Sequence, residues 1–223
     1  MVEAVLVDID GTLIDSNALH TLAWHRAFRR LGLEVETARI HHLIGMGTDK
    51  LAPEILGEDA TEQIELADTY HGEEYSDKGL IDHAEPLPGA TDLLQALKER
   101  KVKVSLATSG KEEEVSRYLQ YLGGEEYLDA IVNMSEVSGT KPEPDIFRRA
   151  LEKLGNPSSA VVIGDTTYDI EAAQKLGVPC VCVLTGGLER ERLLQAGAKA
   201  VYENAYELMS NLDSVLGTDG KKD

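Results

Sequence analysis

Cysteine is nearly missing from this 223-residue chain: only Cys180 and Cys182 occur, two positions apart. In a strand, residues so spaced face the same side but are tied too closely for an ordinary disulfide. A disulfide-built scaffold is excluded, and the pair reads as buried thiols of a reducing compartment. Long apolar runs are missing too. The first apolar stretch, 4–7, is short and acids follow it at once, which is the anatomy neither of a signal peptide nor of a membrane span. A cytoplasmic location is expected. No cluster of lysine or arginine breaks a net charge of −18, so nucleic acid and membrane surfaces are not expected as partners. Small, metal-neutralised substrates suit such a field better, although acidity also serves solubility. Internal repeats and low-complexity segments are absent, so function must come from local motifs.

What is there is alternation. Short apolar runs at 4–7, 102–107, 130–132, 160–163 and 178–184 are separated by helix-like stretches, which predicts a parallel α/β sheet. Several runs are almost unbroken by polar residues, as strands covered on both faces should be. Ile146, Phe147, Ala150, Leu151 and Leu154 recur at helical spacing, and Gly155 supplies a stop. Between 16 and 87 the pattern changes to helical material, notably 19–31 and 61–75, without a convincing buried strand. The expected organisation is a core of 1–15 and 88–216, a helical insertion of 16–87, and a disordered tail of 217–223. Linkers near 15–17 and 85–89 would hold the insertion, with Pro86, Pro88 and Gly89 suited to a bend.

The most informative segment is Val5-Leu6-Val7-Asp8-Ile9-Asp10-Gly11-Thr12, an apolar strand ending in two acids and a turn. Ligand sites of open α/β sheets gather at such carboxyl ends. Gly11 lets the backbone turn so that free N–H groups, with Thr12, can face an anion. The pattern recurs after the fourth run, with Asp165 at the strand end and Asp169 four residues on. Carboxylates packed together raise one another's pKa, and a hard divalent cation relieves this. A single strand-end Asp is more simply a helix N-cap; two such pairs make that reading harder to sustain. Between them lie Thr108-Ser109-Gly110, offering a hydroxyl and backbone N–H groups, and Lys141, a positive charge held by Pro142. Each of these alone could be a plain helix start or a solvated turn.

In their order along the chain, Asp8-Ile9-Asp10-Gly11-Thr12, Thr108, Lys141-Pro142-Glu143-Pro144-Asp145 and Gly164-Asp165 with Asp169 closely resemble the four motifs of the haloacid dehalogenase-like superfamily. The resemblance spans residue 4 to about 210 and implies a Rossmann-like core under a mobile helical cap of type 1. It implies Asp8 as nucleophile, Asp10 as general acid and base, and Thr108 and Lys141 as holders of the phosphoryl oxygens. It also implies magnesium on Asp8, the backbone carbonyl of Asp10, Asp165 and Asp169, the last directly or through water. The activity implied is a phosphatase acting on a small phosphorylated metabolite; dehalogenation is disfavoured by Asp10.

The look-alikes are phosphoglycolate phosphatases and β-phosphoglucomutases. The segment 15–24, His20 included, resembles that of the mutase, and Lys78 lies about where the mutase cap has a substrate-contacting lysine. The loop Gly45-Met46-Gly47-Thr48 lacks the arginine with which the mutase grips a second phosphate. The stretches 184–188 and 196–198 look like the phosphatases instead, so hydrolysis is favoured. Candidate substrate contacts are thus Gly11, Thr12, Ser109, Gly110, His20, Gly47, Thr48 and Lys78, although His20 could equally be an ordinary helix histidine. His41 and His42 point apart on a helix and are not expected to bind metal. Leu43, Ile44 and Met46 suit cap core, while the glycines about Met46 suit a loop that approaches the site. A non-catalytic member would use the same fold for binding, but all four motifs are intact. A monomer is the default.

Overall fold

The strand Ala4–Val7 is apolar throughout because neither of its faces meets water: all four residues are fully buried. The computed structural model describes residues 1–218 and builds outward from this strand. In chain order the elements begin β1 (Ala4–Val7), β2 (Ile14–Asp15), α1 (Asn17–Arg30), α2 (Thr37–His41), α3 (Thr48–Leu56), α4 (Thr61–Gly72) and β3 (Glu85–Pro86). They continue α5 (Ala90–Glu99), β4 (Lys103–Ala107), α6 (Glu112–Leu122), β5 (Ala130–Val132), α7 (Asp145–Lys153) and β6 (Ala160–Gly164). The last are α8 (Thr167–Gln174), β7 (Cys180–Val183), α9 (Arg190–Ala196), β8 (Ala200–Tyr202), α10 (Ala205–Ser210) and α11 (Leu212–Leu216).

Six parallel strands form one sheet in the order β5-β4-β1-β6-β7-β8, with Val5 level with Val104 on one side and Val161 on the other. Successive residues of a strand face opposite ways. Val5, Val7, Leu106 and Ile163 therefore join Leu93, Leu94 and Leu97 of α5 in one apolar layer. Ala4, Leu6 and Val162 join Ile146, Phe147 and Ala150 of α7 in the other. Cys180 and Cys182 both belong to this second layer as free, buried thiols with Sγ atoms 3.8 Å apart. The expected parallel α/β architecture is what forms.

From β1 the sheet grows through β4 and β5 on one side and through β6, β7 and β8 on the other. The carboxyl ends of β1 and β6 thus border the point where the winding reverses, the usual crevice for a ligand in such sheets. The helices α1 to α4 leave after β2 and enclose a separate apolar cluster of Trp24, Ala27, Phe28, Ile40, Leu51 and Ala67. None of the described helices is long and apolar enough to cross a membrane.

Several elements differ from the sequence-based expectation. β8 was not anticipated, because its three residues follow Ala-Gly-Ala-Lys and carry too little apolar signal. The two expected linkers are not independent strings: β2 and β3 pair antiparallel, Ile14 opposite Pro86 and Asp15 opposite Glu85. Pro86 is tolerated there because a two-strand ribbon is all edge. The helix expected over 61–75 ends at Gly72 and passes into a wider π turn, Glu73–Asp77. Of the tail expected to be disordered, Gly217 caps α11 and the Thr218 N–H donates to Asp213 O at 2.8 Å, while 219–223 lie outside the described residues.

Candidate active site

The backbone of β1 stays in the sheet as far as Asp8, whose N–H donates to Ile163 O at 2.9 Å. The chain then turns back on itself, with Thr12 and Leu13 N–H both donating to Ile9 O at 3.1 and 2.8 Å. Gly11 makes the turn at φ +70°, and a Cβ there would overlap the Asp165 carboxylate, so glycine is required twice over. Asp165 leaves the end of β6 fully buried. Its Oδ1 accepts from the Thr12 hydroxyl at 3.2 Å and its Oδ2 from the Asn17 amide at 3.0 Å. A Cβ on Gly186 would also overlap this carboxylate, so Asp165 occupies a slot cut to its size.

Asp169, one turn into α8, closes the group. Its Oδ2 accepts from the N–H and hydroxyl of Thr166 at 3.1 and 2.7 Å, a reciprocal cap that fixes the helix start. Its Oδ1 lies 2.8 Å from Lys141 Nζ, which is also 2.6 Å from Asp8 Oδ1. Lys141 is only 1% exposed, and its ammonium rests 5.1 Å from the Phe147 ring centroid. One ammonium therefore bridges two of the three acids.

Asp8, Asp165 and Asp169 each offer an oxygen within 4.8 Å of the others. Three buried carboxylates against one ammonium leave two negative charges unmatched. The strain shows in their titration. Burial, then Asp169 and Asp10, push Asp8 up to about 7 against the pull of Lys141. Burial, then Asp169 and Asp8, hold Asp165 well above the usual carboxylate range. Burial opposes the charge on Lys141, yet Asp169 and Asp8 outweigh it and raise its pKa. A cluster of hard oxygen donors short of positive charge fits a small divalent cation such as magnesium.

The carboxylate of Asp10 points away from this group. It accepts from the Ser16 hydroxyl at 2.5 Å, and its Oδ1 lies 3.3 Å from His20 Nε2. His20 Nδ1 is in turn 3.2 Å from His71 Nε2, and the Tyr118 hydroxyl sits 3.2 Å from His20 Nε2 and bonds the Tyr75 hydroxyl. Burial would raise Asp10, but His20, Ser16 and Tyr118 outweigh it and lower its pKa. Burial would lower His20, but Asp10 outweighs it and raises the imidazole. Burial, then His20 and Lys111, depress His71 well below the ordinary histidine value. Asp10 and His20 thus favour each other's charged forms, while the surroundings of His71 favour its neutral form.

Above Asp8 lies a cavity of about 50 Å³. Its core wall includes Asp8, Asp10, Thr108, Ser109, Gly110 and Lys111; its other wall includes Trp24, His71 and the Ile44–Thr48 loop. The Thr108 hydroxyl accepts from Gly110 N–H at 3.0 Å, and the Ser109 hydroxyl accepts from Lys141 N–H at 3.2 Å. The insertion touches the core at the Asp49 carboxylate on Thr140, at Lys111 on Asp68, and where the Tyr168 hydroxyl donates to His42 O at 2.9 Å.

Residues 5–183 match the family described as haloacid dehalogenase-like hydrolase. The chain belongs to that family. It is 31% identical over 184 residues to a phosphoglycolate phosphatase of Aquifex aeolicus, covering 82% of this chain and 84% of that protein. It is 28% identical over 221 residues to a phosphorylated carbohydrates phosphatase of Thermotoga maritima, covering 96% of this chain and all of that protein. Among solved structures, a hydrolase from Pseudomonas syringae superposes with a TM-score of 0.88 at 33% identity, covering 95% of this chain and 98% of that one.

Most of the residues singled out in the sequence of this haloacid dehalogenase-like hydrolase come together. Asp8, Asp10, His20, Gly47, Thr48, Thr108, Ser109 and Gly110 all line the cavity. Lys141, Asp165 and Asp169 lie directly behind Asp8. Three expected contacts need correction. Lys78 does not reach the site. It follows the π turn, pairs with Glu74 at 2.5 Å, and its side chain is 55% exposed. Gly11 and Thr12 lie behind Asp165 and support it instead of lining the cavity. His41 bonds the Thr21 hydroxyl at 3.3 Å and packs beside Gly187, joining the insertion to the core. The sequence reading did not single out Ser16, Asn17, Trp24, His71, Lys111, Glu114 or Tyr118. Lys111 could have been found from its place beside Gly110; His71, Glu114 and Tyr118 carry no local signal.

Proposed function

We propose that this hydrolase is a magnesium-dependent phosphatase that transfers a phosphoryl group from a small phosphorylated metabolite to Asp8 and then to water. The observation that carries the reading is the ammonium of Lys141 lodged between Asp8 and Asp169 beside the slotted carboxylate of Asp165, under a cavity rimmed by Thr108. Magnesium would be held by Asp8, the backbone carbonyl of Asp10, Asp165 and Asp169, and it supplies positive charge that lets a carboxylate approach a phosphate dianion.

Asp8, as a carboxylate, attacks phosphorus through one of its oxygens. The bond from phosphorus to the ester oxygen breaks, and Asp10 gives that oxygen a proton drawn from the pair it forms with His20. Thr108 and Lys141 hold the phosphoryl oxygens as charge shifts onto them. Asp10, now a carboxylate, then takes a proton from water as the water oxygen bonds to phosphorus. The bond from phosphorus to Asp8 breaks and inorganic phosphate leaves. The donors on Asp10 that favour its ionised form suit this second half.

Residues 16–87 act as a cap over a core of 1–15 and 88–216, hinged at the β2–β3 ribbon and bringing Trp24, His71 and the Ile44–Thr48 loop over the substrate. A phosphomutase reading is weakened by the uncharged Thr48 and by the lack of any arginine on the cavity wall. The test is phosphate release from a panel of phosphorylated metabolites with magnesium, with chelator, and with Asp8→Asn. Chelator-sensitive release that the variant lacks supports the reading; equal release by Asp8→Asn overturns it.

A further inference from the structure

One lysine lines the cavity, Lys111, and no arginine does. Its ammonium is not free to meet a substrate. Nζ is 2.9 Å from Asp68 Oδ1 on α4, so a core cation is matched by an acid from the insertion. A second acid, Glu114, is buried on the same wall and accepts the Lys111 backbone N–H at 3.0 Å. The insertion also contributes Trp24, Ile44, Met46 and Thr48, together with two histidines, His20, whose Nε2 lies 3.3 Å from Asp10 Oδ1, and His71. Beyond the transferring phosphoryl group, a substrate therefore meets apolar and hydroxyl groups, a histidine already paired with Asp10, the neighbouring His71, the buried Glu114 and a lysine already paired with Asp68.

We propose that Asp68 is a specificity-determining residue: by holding Lys111 it makes the leaving-group end of the cavity select esters of neutral alcohols over esters bearing a second acidic group. The inference rests on the phosphatase reading above and narrows its substrate class to phosphate monoesters of uncharged, hydroxylated compounds. A carboxylate or second phosphate entering the cavity must lose part of its hydration opposite Glu114 and must compete with Asp68 for the one lysine.

The test uses the full-length protein with p-nitrophenyl phosphate as reporter and two competing ligands of matched size, phosphoglycolate and 2-hydroxyethyl phosphate, which differ in a carboxylate against a hydroxymethyl group. The readout is the ratio of their competitive inhibition constants within each variant, so a loss common to both ligands cancels. In the wild type the neutral ligand is expected to bind at least about fivefold more tightly. In Asp68→Asn the ratio should shift toward phosphoglycolate by at least about fivefold, and adding Lys111→Gln should return it to the wild-type value. A ratio in Asp68→Asn within about twofold of the wild type, or a wild type that prefers phosphoglycolate, overturns the charge filter while leaving the phosphatase reading intact. Absence of magnesium-dependent hydrolysis of the reporter by the wild type overturns both.

Discussion

Replacing Gly186 with alanine tests whether the slot around Asp165 sets the affinity for metal. The added methyl would overlap the Asp165 carboxylate, and that carboxylate cannot retreat without leaving the Thr12 hydroxyl and the Asn17 amide. Hydrogen bonds to a charged group are worth about 1.5–3 kcal/mol each, so partial loss of two, softened by relaxation of the 184–186 turn, should cost about 2–4 kcal/mol of stability. Misplacing one ligand should lower magnesium affinity by about 10- to 100-fold. Calorimetric titration of magnesium and the magnesium dependence of phosphate release measure the affinity, and urea unfolding in chelator measures the stability. Gly72→Ala is the control, since its nearest outside neighbour is Lys111 Nζ at 3.8 Å. A magnesium affinity in Gly186→Ala within about twofold of the wild type would refute the reasoning.

Asp165→Asn should weaken magnesium dependence and activity together, seen as a rightward shift of the magnesium titration with a lower plateau. Lys78→Ala should leave kcat/KM within about twofold, because its half-exposed ammonium pairs with the buried Glu74, which Arg26 and Arg30 also approach; a larger loss would restore it to the site. Phe147→Ala should cost about 3–5 kcal/mol in urea unfolding, the Phe147 side chain being fully buried against the sheet. The two stacked histidines should contribute to stability in opposite senses on either side of pH 6.5. His71 has a depressed folded pKa, so the unfolded chain binds more protons and stability is lost as pH falls below 6.5. His20 has a raised one, so its contribution is full below 6.5 and is lost as pH rises through its folded value. His71→Phe should flatten the acid limb alone in urea melts at pH 5, 6.5 and 8; an unchanged limb would refute the assignment.

The floor of the candidate site was legible in the sequence because it is written locally. An apolar run that stops at Asp8 or Asp165 states both a buried strand and a carboxylate at its carboxyl end, and the sheet order does the rest. The insertion was legible only as helices. Tyr118 and His71 meet His20 from 98 and 51 residues away, and no periodicity announces such a partner. Lys78 was named by position alone, from its resemblance to a lysine in the mutase cap, and position does not reveal that it follows a π turn at Glu73–Asp77 and pairs with Glu74. Asp68 gave no sign in the sequence that it would meet Lys111, since the pair forms only when α4 lies against the start of α6.

The ribbon of Ile14–Asp15 and Glu85–Pro86 means that the chain enters and leaves the insertion through one doorway. To the six-stranded sheet, some seventy residues of helix count as a single loop between β1 and β4, closed at its base. Such an insert can be lengthened, shortened or exchanged without altering the register of a single core strand. The chemistry of the floor and the choice of what is admitted to it can therefore change independently, one in the sheet and the other above the doorway.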